Sequence, residues 1–247
     1  KLATKMLSKD DLERIEEGDN FFISDNVMFN AFLNKTRQIS NCVNGDINSP
    51  KLINILRYCK KGPFPIIIYS NWINSGIIPM KRLLHLNNLE YYAFTGELND
   101  KEKKRIVEKY NRKEIQVLLL SSSGAEGLDL KNTRQIHIME PHFNMAKINQ
   151  VIGRGIRYKS HSDLNKKERK VDVYYWISKP DFSNIKKTNK SIKNNNFNYN
   201  KKKKTKKNNK IEKKIGVDEY LYKLSRNKEK YIEKFLKYIK KYSIENE

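Results

Sequence analysis

Cysteine is nearly absent from the chain. Cys42 and Cys59 are the only two, too few for a disulfide framework or a multi-cysteine zinc site, so an intracellular, reducing setting is expected. Four histidines (His85, His137, His142 and His161) show no metal-ligand spacing with each other or with the cysteines, so no metal site is expected either. Long apolar runs are missing too. The longest, at 65–69 and 117–120, are strand-length, against the roughly 18 residues of a spanning helix, which excludes a transmembrane protein, and no membrane partner is expected. Residues 1–14 hold no apolar stretch of the secretory kind. The first residue is Lys1 and not Met, so a piece of a longer chain is expected. Acid is scarce relative to base, with 28 Asp and Glu against 51 Lys and Arg and a net charge of +23 over 247 residues. That length suits one or two domains around one sizeable core.

The excess charge is concentrated. Residues 183–214 hold thirteen lysines against one glutamate, many asparagines and hardly any large aliphatic residue. Such a run repels itself and cannot bury a core. It is read as a disordered linker or surface insertion. It serves either as a sequence-independent grip on nucleic-acid phosphates or as a solvated loop from a coding sequence rich in A and T.

The folded body lies between residues 26 and 181. Short, nearly continuous apolar runs at 65–70, 91–95, 115–120, 134–140 and 171–177 predict strands of a parallel sheet covered on both faces. Helical periodicity is expected over 50–60, 79–89, 99–111 and 144–154. The alternation gives an α/β doubly wound domain. Four units follow: a polar helical lead-in (1–26), the α/β lobe (27–182), the Lys/Asn-rich segment (183–214) and a C-terminal helical extension (215–247). In the extension Leu221, Leu224, Ile232, Phe235, Leu236 and Ile239 fall at helical spacing. This amphipathic stripe is expected to pack on the domain, with a break near residues 225–227.

In doubly wound sheets ligands collect outside the carboxyl ends of the strands. That directs attention to Ser70-Asn71, Thr95-Gly96, the run 121–130 and Glu140-Pro141. The run 121–130 (Ser-Ser-Ser-Gly-Ala-Glu-Gly-Leu-Asp-Leu) follows a buried strand. Its glycines let the backbone approach a ligand, and its hydroxyls and amides can hold a phosphate. The run 150–157 (Gln-Val-Ile-Gly-Arg-Gly-Ile-Arg) places Arg154 and Arg157 three apart. On a helix these would share a face and could clamp a polyphosphate, unless they bond acidic neighbours such as Glu140. His137 and the Trp72 and Trp176 rings read as packing. Tyr91-Tyr92 could stack on bases but fits a sheet core. No G-x-S-x-G elbow marks a hydrolase triad.

The ordered set of Ser-Asn, Thr-Gly, Ser…Gly-Leu-Asp and Gln-x-x-Gly-Arg-x-x-Arg resembles motifs IV, IVa, V and VI of the superfamily 2 helicases, which occupy their second, RecA-like lobe. The resemblance covers roughly residues 27–177. Residues 32–41, 135–142, 150–158 and 218–224 are more narrowly similar to the helicase-type ATPases of large cytoplasmic DNA viruses. That group includes the poxvirus early transcription factor small subunit and nucleoside triphosphate phosphohydrolase I.

The resemblance implies roles. Asn71, Thr95, Gly96 and Ser121 would touch the nucleic-acid backbone. Gly127, Asp129, Gln150, Arg154 and Arg157 would face ATP. Arg154 and Arg157 would reach its γ-phosphate, and Arg157 would be the arginine finger. Implied partners are single- or double-stranded nucleic acid with DNA favoured, a first RecA-like lobe, and viral RNA polymerase or transcription factor subunits. The implied setting is the host cytoplasm or the virion. The chain departs from the family in having no G-x-x-x-x-G-K-[ST] phosphate loop and no Asp-Glu-x-His or Asp-Glu-x-Asp box. ATP with Mg²⁺ is therefore expected to need metal ligands from the first lobe, and this chain alone is expected to be inactive. The expected function is the C-terminal lobe of a nucleic-acid-dependent ATPase in viral transcription. The alternatives are a non-catalytic orphan lobe that binds nucleic acid or a transcription partner, and an unrelated nucleotide-binding α/β domain.

Overall fold

The computed structural model describes residues 21–122, 128–179 and 215–242, with side chains from residue 31 onward. All five expected strands form. They are β1 (Ile66–Ser70), β2 (Tyr91–Phe94), β3 (Val117–Ser121), β4 (Gln135–Ile138) and β5 (Asp172–Tyr175). They pair in the order β2-β3-β1-β4-β5, parallel throughout. The helices are α1 (Phe21–Asn41), α2 (Pro50–Lys61), α3 (Ile78–Leu86), α4 (Asp100–Asn111), α5 (Met145–Gly155) and α6 (Val217–Tyr242).

Strand periodicity divides the core into two layers. Ile66 and Ile68 join Leu52, Ile55 and Cys59 of α2 and Met80 and Leu84 of α3 on one face. Ile67 and Tyr69 join Ile106 and Tyr110 of α4 and Met145, Ile148 and Val151 of α5 on the other. Burial on both faces accounts for the near-continuous apolar strands. His137 is fully buried and lies against the rings of Tyr174 and Trp176, at 4.8 and 5.9 Å.

Local chemistry sets the helix starts. Pro50 stands in the first turn of α2. Asn99 and Glu102 form a reciprocal capping box on α4. The Asn144 side chain accepts from Ala146 N at the start of α5.

Two expectations change. α1 runs straight through the boundary drawn at residues 26 and 27, while residues 1–20 lie outside the described residues, as do 180–214. α6 is continuous through 225–227, because Ser225 is buried and its hydroxyl donates to Tyr222 O within the helix. Only the first half of the α6 stripe packs: Leu221 is fully buried, whereas Ile232, Phe235, Leu236 and Ile239 are 50–64% exposed. No helix among the described residues is long and apolar enough to cross a membrane.

Candidate functional site: two ends of one sheet

The sheet register assembles the first group of site residues. Ser70 pairs with Ser121 and Phe94 with Leu120. Asn71, Thr95 and Ser121 therefore form one row across the carboxyl ends of β1, β2 and β3. Gly96 is exposed, Asn71 and Thr95 are half-buried, and Ser121 is buried at 1% exposure. The surface of the row is thus Asn71, Thr95 and Gly96, with Ser122 half-buried beside them.

Asn71 is held on both sides. Its Oδ1 accepts from Tyr69 OH at 2.9 Å, and its Nδ2 donates to Glu140 Oε1 at 3.3 Å. Glu140 also accepts from Asn71 N at 2.5 Å, from Ser70 Oγ and from Asn41 Nδ2. Burial pushes the Glu140 carboxyl up, while hydrogen bonds from Asn41 and Asn71 and the nearby Lys51 and Arg37 pull it back. Glu140 is therefore engaged with the row and not with the arginine pair of 150–157, as the sequence allowed. Burial likewise raises Tyr69 to about 12, opposed by a bond to the Ser122 hydroxyl.

The second group sits at the opposite, amino end of the sheet, where the carboxyl-end rule gives no guidance. The chain leaves β3 at Ser121 and crosses over before entering β4. Leu130 N donates to Arg154 O at 3.2 Å on the way. Asn111, at the end of α4, clamps this return: its Nδ2 donates to Asp129 O, and its Oδ1 accepts from Lys131 N. Gly127 lies outside the described residues.

Arg154 is half-buried on α5, and its Nε is buried without a hydrogen-bond partner. Gln150, one turn earlier, is exposed. Arg157 is not on the helix, as its spacing suggested, but in the turn just beyond it. Its Nη1 lies 3.8 Å from Asp129 Oδ1, with both side chains about half exposed.

That turn is pinned. Arg157 N donates to Ser160 Oγ, and Ser160 N donates to Arg157 O. His161 Nδ1 lies 2.8 Å from Ser160 Oγ. His161 Nε2 donates to Thr133 O at 2.7 Å. Gly155 lets α5 lie flat on the sheet, since a Cβ there would fall 2.9 Å from Ile67 Cδ1 and 3.0 Å from Thr133 Oγ1. Glu140, Asn111, Ser160 and His161 were not assigned these roles from the sequence. The partners of Glu140 and Asn111, and Thr133 beside His161, are distant in sequence, and only the side-chain types hinted at polar anchoring. Among the described residues, no group of three or more His, Cys, Asp or Glu side chains is placed to hold a metal ion.

Residues 48–159 match the family model described as the helicase conserved C-terminal domain. Over those residues, a little under half of its length, the chain is similar to the C-terminal domain of helicases. The match takes in the carboxyl-edge row, the return past Asp129, and both arginines. The chain is 51% identical over 149 residues to a protein of Acanthamoeba polyphaga mimivirus provisionally named an ATP-dependent RNA helicase. The alignment covers 60% of this chain and 34% of that protein. It is 26% identical over 185 residues to a protein of African swine fever virus (isolate Pig/Kenya/KEN-50/1950) named as a homolog of termination factor NPH-I, covering 54% and 26% of the two chains. The chain thus spans about a third or less of these relatives. The solved C-terminal part of the Fun30 ATPase domain superposes with a TM-score of 0.49 at 13% identity, covering 90% of this chain and 72% of that one.

Proposed function

We propose that this chain is a helicase C-terminal domain, the second lobe of a nucleic-acid-dependent ATPase of a large DNA virus. It supplies two surfaces. The row at the carboxyl end of the sheet grips one strand of nucleic acid through its backbone. Arg154 and Arg157, at the other end, face ATP bound on a first lobe.

The mounting of the arginines carries the reading. A buried, unpartnered Nε on Arg154 and a finger candidate on a pinned turn suit a polyphosphate that arrives from outside. The Asp129–Arg157 contact is long and exposed. Such pairs are worth about 0–1 kcal/mol, so Arg157 can exchange it for a phosphate. The arginines fit the anion. The Mg²⁺ that accompanies ATP would take its carboxylate ligands from the first lobe, because this chain has no acidic box. Hydrolysis would then open and close the lobes and shift the grip. The name of the African swine fever virus relatives supports a role in viral transcription. The mimivirus relative's name points to RNA, while the backbone-facing row distinguishes DNA from RNA poorly.

The test is ATPase activity of the chain, alone and with a separately supplied first lobe, with and without single-stranded DNA or RNA. Activity is expected only in the mixture with nucleic acid, and Arg157→Ala should lower it about 10³–10⁵-fold. Salt-sensitive nucleic-acid binding with no activity in any mixture would instead support a non-catalytic binding lobe.

A further inference from the structure

Between the C-terminal helix and Asn71 runs a chain of hydrogen-bonded polar groups, in which Lys51 and Asn41 donate and the Asp218 and Glu140 carboxylates accept. Lys51 Nζ donates to Asp218 Oδ2 at 2.7 Å, to Asn41 Oδ1 at 2.9 Å and to Met139 O at 3.0 Å, which uses all three of its hydrogens. Asn41 Nδ2 passes the polarity on to Glu140 Oε2 at 2.8 Å. Glu140 Oε1 accepts from Asn71 N and Nδ2. Asp218 is further tied to Ser40 Oγ and Ser178 N. Asp218, Lys51, Asn41 and Glu140 are each 0–6% exposed. Arg37, sandwiched over Trp72 and Phe143 and donating to Pro141 O, adds a second cation beside the Glu140 carboxylate.

The consequence for Asn71 is chemical. Its Oδ1 is committed to Tyr69 OH and one Nδ2 hydrogen to Glu140. This fixes which end of the amide is which and leaves the second Nδ2 hydrogen as a spare donor, beside one further lone pair on Oδ1. A donor is what a phosphate oxygen requires.

We infer that Glu140 is a positioning residue for nucleic-acid binding: its buried carboxylate sets Asn71 with a hydrogen directed outward, and the relay through Asn41, Lys51 and Asp218 makes both flanking helices, α1 and α6, part of the grip. The inference rests on reading the carboxyl-edge row as the nucleic-acid surface. A relay with every site filled is rigid, and removing one member leaves a buried group unpaired.

The experiment measures binding of the full chain to a fluorescein-labelled oligo(dT), and to its RNA counterpart, by anisotropy at fixed salt. Asn71→Ala and Glu140→Gln are each expected to weaken binding about tenfold, the equivalent of one charge-assisted hydrogen bond. The double variant should be no weaker than Asn71→Ala alone. In Glu140→Gln/Asn41→Asp, the new amide can donate to the new carboxylate while that carboxylate still accepts from Lys51. This pair should restore binding to within about threefold of the parent. A merely structural role would be rescued too, but it would leave Glu140→Gln still weakening binding in the Asn71→Ala background. Asp218→Asn tests the far end of the relay should Glu140→Gln fail to fold. It should weaken binding about threefold in the parent and have no effect in the Asn71→Ala background. Losses that simply add, or parent-like binding by Glu140→Gln while Asn71→Ala binds weakly, would overturn the positioning role. Parent-like binding by Asn71→Ala would remove the nucleic-acid reading of the row itself.

Discussion

Gly155 leaves no room for a methyl group, since a Cβ there would press on Ile67, Thr133 and Ile136 at 2.9–3.2 Å. These are side-chain ends, so an added methyl group forces either them or the helix to give, and a shift of the helix would carry the Arg157 turn with it. Gly155→Ala is expected to cost about 1–3 kcal/mol in urea unfolding and to lower nucleic-acid-stimulated ATPase in the two-lobe mixture more than it lowers nucleic-acid binding. His137 offers a pH readout. Its Nδ1 accepts from Trp176 Nε1, its Nε2 donates to Gln135 Oε1, and burial lowers its pKa to about 3. The unfolded chain gains a proton near pH 6.5 that the folded chain refuses until about pH 3. Stability therefore falls as pH drops through that window, by up to about 1.4 kcal/mol per unit. Urea midpoints at pH 7 and 5.5 should drop further for the parent than for His137→Gln. At this scale the sequence was most legible where short spacings carried the meaning, as in the 150–157 run that matches the family. It was least legible at Glu140, whose partners Asn71, Ser70 and Asn41 are 69, 70 and 99 residues away.

Elements were legible in proportion to how apolar their buried faces are. The five strands and the four helices between residues 50 and 155 announce themselves through aliphatic periodicity, and all of them form. α1 did not announce itself. Its buried positions include Leu33, Arg37 and Asn41, at 5%, 3% and 0% exposure. These stand four apart on one face, so a helical stripe exists, but two of its three members are polar and vanish from a hydrophobic count. α6 misled in the opposite way, because its apolar stripe continues beyond the part that packs. Residues 231–242 are all exposed. Removing them should change the melting temperature of this chain by no more than about 2 °C, in keeping with the small effect of surface positions. Truncation before Asp218 should destabilise it markedly, since Lys51 would be left buried without its carboxylate.

The whole molecule separates its two surfaces by the length of the sheet. Ser121 ends β3 at the carboxyl edge, and Asp129, eight residues later, stands beside Arg157 at the amino edge. One stretch of chain therefore touches both the proposed nucleic-acid row and the proposed nucleotide face, and Asn111 fastens its far end to α4. The motif order implied that both proposed surfaces belong to one lobe. It did not show that they lie at opposite ends, because the carboxyl-end rule concerns strands and Arg157 is carried on a turn after a returning helix.

Lys51 and Asp218 stand 167 residues apart in the chain, yet meet at 2.7 Å beneath the surface. This attachment of α6 is made by side chains from opposite parts of the sequence. The protein should therefore survive as two pieces. With a sequence-specific protease site inserted among residues 183–214 and then cut, the C-terminal fragment should co-elute with the body in native gel filtration and part from it only in detergent. Asp218→Asn should let the fragment go.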